Sequence, residues 1–106
     1  MADLWFEDLK REILAERPVC EVCGIRYATE LNHCIVHDQK RIHRQLTCRE
    51  NLQATCSICH TSTEQKAHSR EEREKFVEKQ IERGYDIGKW YRSLDLRVKE
   101  AWLLKL

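Results

Sequence analysis

Two matched pairs, Cys20-x-x-Cys23 and Cys56-x-x-Cys59, carry the clearest chemistry in this chain. A two-residue spacer lets both thiolates of a pair reach one ion at about 2.3 Å, and two such pairs complete a tetrahedral thiolate site of the kind zinc fills. Six cysteines in a secreted chain would suggest disulfides. The opening residues, Met-Ala-Asp-Leu-Trp-Phe-Glu-Asp, are instead acidic and amphipathic, without the basic segment, apolar core and cleavage site of a signal peptide, so a cytosolic location is expected. There, paired Cys-x-x-Cys motifs favour metal. Cys34 and Cys48 lie outside the pattern and read as small core residues rather than ligands or nucleophiles. One ion shared by both pairs would draw Asn32, His33, Asn51 and His60 into one small space, which is the making of an active site.

The rest of the chain must supply the frame. At 106 residues it is one domain by length, and a chain this short buries only about two-thirds of its unfolded surface. Hydrophobic residues make up 42% and charged residues 35%, a mixture that leaves little apolar material for the polar middle and makes a structural metal the natural supplement to the core. Net charge is only +1, so bulk electrostatics does not announce a nucleic-acid binder. Between Asp38 and Arg49, however, Lys40, Arg41, Arg44 and Arg49 face one acid, and such a loop can track phosphates. No apolar run approaches the ~20 residues needed to span a bilayer.

Helical spacing of Leu4, Trp5, Leu9, Ile13 and Leu14 predicts a first helix from Asp3 to Arg17, ended by Pro18. Gly24 supplies the positive-φ turn of the first cysteine knuckle. From Ile25 to Val36 the β-favouring residues alternate roughly, predicting two short strands or a distorted hairpin. His37 to Arg49 reads as a surface loop with room for a helical turn, and Glu50 to Gln53 returns the chain to the second cysteine pair. A helix is expected from Cys56 to about Ala67. Ser69-x-x-Glu72 then forms a capping box for a helix from Arg70 to Arg83, which Gly84 stops. Ile87, Trp90, Tyr91, Leu94, Val98, Ala101 and Trp102 predict one continuous last helix with Asp86 as its N-cap, its first turn weakened by Gly88. Trp5, Trp90 and Trp102 are expected in the core. The stripe's end can also offer a surface for a homodimer or a partner helix.

The order Cys20-Glu-Val-Cys23-Gly24, Glu30-Leu31-Asn32-His33, Glu50-Asn51-Leu52 and Cys56-Ser-Ile-Cys59-His60 resembles the HNH endonucleases, in which a ββα-metal fold is often stapled by such a zinc. The resemblance covers roughly Val19 to Glu64. It implies an α+β fold with the module at about 19–68, helical flanks at 3–17 and 69–105, and a metal-dependent DNA endonuclease or nickase. It makes His33 the general base, Asn51 the residue that holds the imidazole or its loop, and His60 a ligand of a catalytic divalent cation, Mg²⁺, Mn²⁺ or Ni²⁺. The expected products are a 5′ phosphate and a 3′ hydroxyl. In this family the residue before the base is usually Asp, His or Glu, whereas here it is Asn32, whose amide oxygen ligates without charge. Glu64, one helical turn after His60, is the expected compensating ligand, with His68 a further turn on. Small stand-alone domains resembling this family are common in phage genomes.

Lys40, Arg41 and Arg44 are the expected phosphate contacts, since no acid neutralises them locally in the sequence. His37 and His43 read as solvated loop residues, with a ligand or phosphate contact as the alternative. Two further readings stand beside the nuclease. One is a non-catalytic zinc module of the same fold that binds nucleic acid or a protein, and the other is a structural zinc-ribbon adaptor.

Overall fold

Helix α1 (Leu4–Glu16) turns the fully buried Ile13, with Leu9 and Leu14, onto one face of a two-stranded sheet, where they meet Leu31, Leu52 and Ala54. In the computed structural model, which describes residues 4–37, 39–61 and 66–106, the helix closes with Arg17 N–H donating to the Ile13 carbonyl at 2.8 Å. Pro18 has no N–H with which to continue. The chain folds back at once in a narrow turn in which Val19 bridges Tyr27, Cys20 N–H donates to the Arg26 carbonyl, and Gly24 takes φ +67.

The sheet is antiparallel, with β1 (Glu30–His33) against β2 (Leu52–Thr55) in the register Leu31 opposite Ala54 and His33 opposite Leu52. This corrects the expectation of two strands within Ile25 to Val36. Ile25 and Tyr27 sit on the knuckle turn, 82% and 78% exposed and outside both strands, with Tyr27 in no more than the single bridge to Val19. Ile35 and Val36 have strand-like side chains, but their backbone N–H groups donate to Asn51 Oδ1 at 2.8 and 3.0 Å, so no strand forms there. Their side chains enter the larger core instead.

That core gathers Cys34, Ile35, Val36, Ile42 and Leu46 from the connection between the strands with Phe76, Val77, Ile87, Tyr91, Leu94 and Leu103 from the C-terminal third. The connection holds a 3₁₀ turn (Lys40–Ile42) running into a one-turn helix α2 (His43–Leu46). After β2 come α3 (Ser57–Thr61), a 3₁₀ turn (Lys66–His68) and α4 (Arg70–Glu82). The capping box at Ser69 forms, its hydroxyl accepting from Glu72 N–H at 3.2 Å. Glu64 lies outside the described residues.

The last apolar stripe does not make one helix. It divides into α5 (Ile87–Ser93), capped by Asp86, and α6 (Ala101–Leu104), because Leu94 turns extended at φ −76, ψ 140 and the chain doubles back. Tyr91 Oη accepts from Glu100 N–H at 2.8 Å and holds the return. Val98, on the stripe by periodicity, is 84% exposed, while Leu103, off it, is fully buried. Gly88 is a packing requirement rather than a weakness, since a Cβ there would stand 2.6 Å from the Leu106 carbonyl oxygen. Trp90 and Trp102 pack partly buried against the core, whereas Trp5 lies half-buried beneath the Arg44 guanidinium, 5.0 Å from its ring centre. No helix among the described residues is long and apolar enough to cross a membrane.

Arg73 of α4 ties these parts together. Its Nη2 donates to the Ile35 carbonyl at 2.8 Å and to both Glu100 oxygens at 3.0 Å. Arg73→Ala is expected to destabilise the fold by about 2 kcal/mol in urea unfolding, because a buried carbonyl and a carboxylate lose their shared donor. The loss is held to that size because the Arg73 Nε, itself buried without a partner, is removed too. An unchanged unfolding midpoint would contradict this role.

Candidate metal centre and histidine cleft

The turn after α1 places Cys20 and Cys23, and the end of β2 with the first turn of α3 places Cys56 and Cys59. Their four sulfur atoms all lie within 4.8 Å of one another, and Cys23 Sγ stands 4.0 Å from Cys56 Sγ. Thiolates around a tetrahedral ion at 2.3 Å are separated by about 3.8 Å, so the spacing suits a metal such as zinc, and it is far too long for a disulfide. Backbone N–H groups of Arg26 and Ile25 draw the Cys23 thiol down to about 6. Burial and the neighbouring thiols push Cys59 up to about 12. Four bare thiolates this close repel one another, and a divalent cation is what lets the last proton leave. Cys34 and Cys48 stand apart, pushed up by burial to about 12 and about 11; Cys34 sits in the core as expected, whereas Cys48 is only half-buried and lies outside it.

Glu21, inside the first pair, was not singled out by sequence reasoning. Its side chain, 5% exposed, accepts from Ala54 N–H at 2.7 Å and pairs with Arg17 of the α1 terminus and Arg83 after α4. One carboxylate thus joins the cysteine turn to β2 and both helical flanks. Nothing in the local sequence marks it beyond its place between two ligands.

Beside this centre lies a cleft of about 650 Å³ lined by Asn32, Lys40 and all five of the chain's histidines, His33, His37, His43, His60 and His68. The rings of His33 and His43 are 4.9 Å apart, those of His60 and His68 5.4 Å, and those of His37 and His68 5.9 Å. His33 ends β1 half-buried, with Nε2 2.9 Å from the Thr47 hydroxyl. Burial, then repulsion from His43, His60 and His37, lowers its pKa from the ordinary 6.5, so the ring is neutral at neutral pH. His60 meets Glu30 through Nδ1 at 2.9 Å, which leaves Nε2 as the ring nitrogen able to bind a cation. This carboxylate behind His60 was also missed, although Glu30 and Asn32 share one face of β1 by strand alternation.

Asn32 is buried, and its Nδ2 donates to Gln53 Oε1 at 3.2 Å and to the Ala67 carbonyl at 3.3 Å. No described residue bonds its Oδ1, the atom left for the cleft. Asn51 has no exposure and spends its whole amide on the connection. Oδ1 accepts from Ile35 and Val36, and Nδ2 donates to the Val36 and Leu46 carbonyls, both at 2.9 Å. It therefore holds the loop rather than the imidazole. Of the three expected phosphate contacts, Lys40 faces the cleft. Arg41 is tied to Asp95 at 2.9 Å, an acid 54 residues away that the local sequence could not reveal as its neutraliser. Arg44 covers Trp5.

Among the described residues, the four cysteines are the one group of three or more metal-binding side chains close enough to share an ion. A cation in the histidine cleft would be held by fewer protein atoms, His60 Nε2 and Asn32 Oδ1, with water and a substrate oxygen completing its shell. No family model, curated protein or solved structure matches the chain.

Proposed function

We propose that the chain is a metal-dependent DNA endonuclease or nickase of HNH type, its fold stapled by zinc at Cys20, Cys23, Cys56 and Cys59. The observation that carries this reading is the presence, in one cleft, of a neutral His33 anchored through Nε2 and a His60 backed by Glu30. In this reading His33 accepts the proton of the attacking water. Lys40 steers the phosphate. His60 and Asn32 would hold a divalent cation, which would supply charge neutralisation at the scissile phosphate and the leaving 3′ oxygen.

Plasmid nicking in Mg²⁺, Mn²⁺ or Ni²⁺ tests it. His33→Ala is expected to lose about 10²–10⁴ in rate. Because the His33 pKa is lowered, the base form persists as pH falls, and the acid limb of the rate profile lies below pH 6.5. A bound cation nearby shifts it further the same way. Cutting that survives His33→Ala, or an acid limb above pH 6.5, would sink the mechanism.

One observation favours the alternative of a non-catalytic module that binds nucleic acid or a protein. Asn32 brings no charge, and half of its amide is committed to structure. A wild type that nicks nothing in any metal, yet shifts duplex or branched DNA in a gel, would support that reading.

A further inference from the structure

An imidazole carries one proton-accepting lone pair when neutral, and which nitrogen holds it is set by the partner of the other. For His33 that partner is Thr47, the residue that ends α2. Thr47 Oγ1 lies 2.9 Å from His33 Nε2 and 2.9 Å from the carbonyl oxygen of His43, one helical turn back. The hydroxyl has one proton and the carbonyl has none. Both contacts are hydrogen bonds together in one arrangement alone: Thr47 donates to the carbonyl, and His33 Nε2–H donates to Thr47. With the proton on the other ring nitrogen, one of the two contacts becomes a pair of facing lone pairs at 2.9 Å. Thr47 is 6% exposed, so solvent offers little substitute.

The parts are held for this. The one-turn helix α2 brings the His43 carbonyl under the Thr47 hydroxyl, and Asn51 Nδ2 fixes the adjoining Leu46 carbonyl at 2.9 Å. No described residue bonds His33 Nδ1. We infer that Thr47 is a positioning residue, which fixes the His33 ring as the Nε2–H tautomer and so presents Nδ1 as the atom that takes the proton from water. Its catalytic meaning rests on the nuclease reading, while the tautomer rests on hydrogen-bond geometry.

The test uses the full chain and two readouts. Long-range ¹⁵N NMR of wild-type His33 is expected to show a pyridine-type signal at Nδ1 and a pyrrole-type signal at Nε2. Thr47→Val, which keeps the shape and removes the relay, is expected to mix the tautomers and to lower kcat for nicking about tenfold with KM little changed. Thr47→Ser, which keeps the hydroxyl, is expected to recover most of that loss. A proton on Nδ1 in the wild type overturns the inference, as does a folded Thr47→Val with wild-type tautomer and rate. If Thr47→Val fails to fold, the wild-type spectrum and Thr47→Ser decide. A wild type that cuts no DNA refutes the nuclease reading and leaves the NMR result to judge Thr47.

Discussion

Cys56→Ser, or removal of zinc by a strong chelator, is expected to unfold the protein rather than merely to loosen one turn. Cys56 lies at the junction of β2 and α3, 4% exposed, and its sulfur belongs to the cluster that joins two segments far apart in sequence. Losing the ion frees the turn at Cys20–Cys23, and with it Glu21, whose carboxylate is held between β2, Arg17 and Arg83. A structural zinc contributes about 10–16 kcal/mol of apparent binding energy, as much as a small domain's whole stability of about 5–15 kcal/mol. Far-UV circular dichroism melts with and without chelator, beside a zinc count of one per chain, would check this. Cys34→Ala is the contrast: a buried core thiol is shortened, about 1–2 kcal/mol is lost, and the zinc count stays. A melt indifferent to chelation would remove the metal from the account of this fold.

The second large effect is expected at Asn51. Asn51→Asp keeps the shape and both acceptor contacts to Ile35 and Val36, but turns a carboxylate oxygen toward the Val36 and Leu46 carbonyls where an amide N–H₂ now donates. At neutral pH this buries a charge against two lone-pair groups, at a cost of about 3–5 kcal/mol. The sign with pH is set by the same contacts. The folded state would favour the protonated acid, which can donate one of the lost bonds, so its pKa is raised above the unfolded value near 3.9. The variant is then least impaired below that value and loses stability as pH rises through the raised one. Guanidinium unfolding at pH 4 and pH 7 would show the difference, and equal losses at both would contradict it. In the nuclease reading, nicking falls as well, because Asn51 fixes the backbone next to Thr47, the partner of His33.

The cysteine frame, the first helix and the capped helix α4 were legible from residue type and spacing because each is specified locally: a two-residue spacer, an apolar period, a Ser–Glu box. The second strand was not. Leu52-Gln53-Ala54-Thr55 alternates apolar and polar residues for only four positions, too short a run to announce a strand, and its partner β1 lies a long excursion away in sequence. The break after Ser93 was hidden because a stripe at helical spacing looks the same whether the chain runs on or doubles back. Of the cleft, the histidines could be named but not their partners. Glu30 meets His60 across 30 residues, and Asp95 meets Arg41 across 54, pairings that only the fold creates.

The wide separation of the two strands also sets when the cleft can exist during synthesis. A two-residue hairpin zips within microseconds on its own, but β1 ends at His33 and β2 begins at Leu52, so closing that excursion must precede any reward from the ladder. The closure leans on partners made later still. Asn32 bonds the Ala67 carbonyl, and the fully buried Gln80 holds the carbonyls of Arg49 and Glu50 at 2.7 and 3.1 Å. A nascent chain therefore lacks these supports of its sheet and cleft until α4 has left the ribosome.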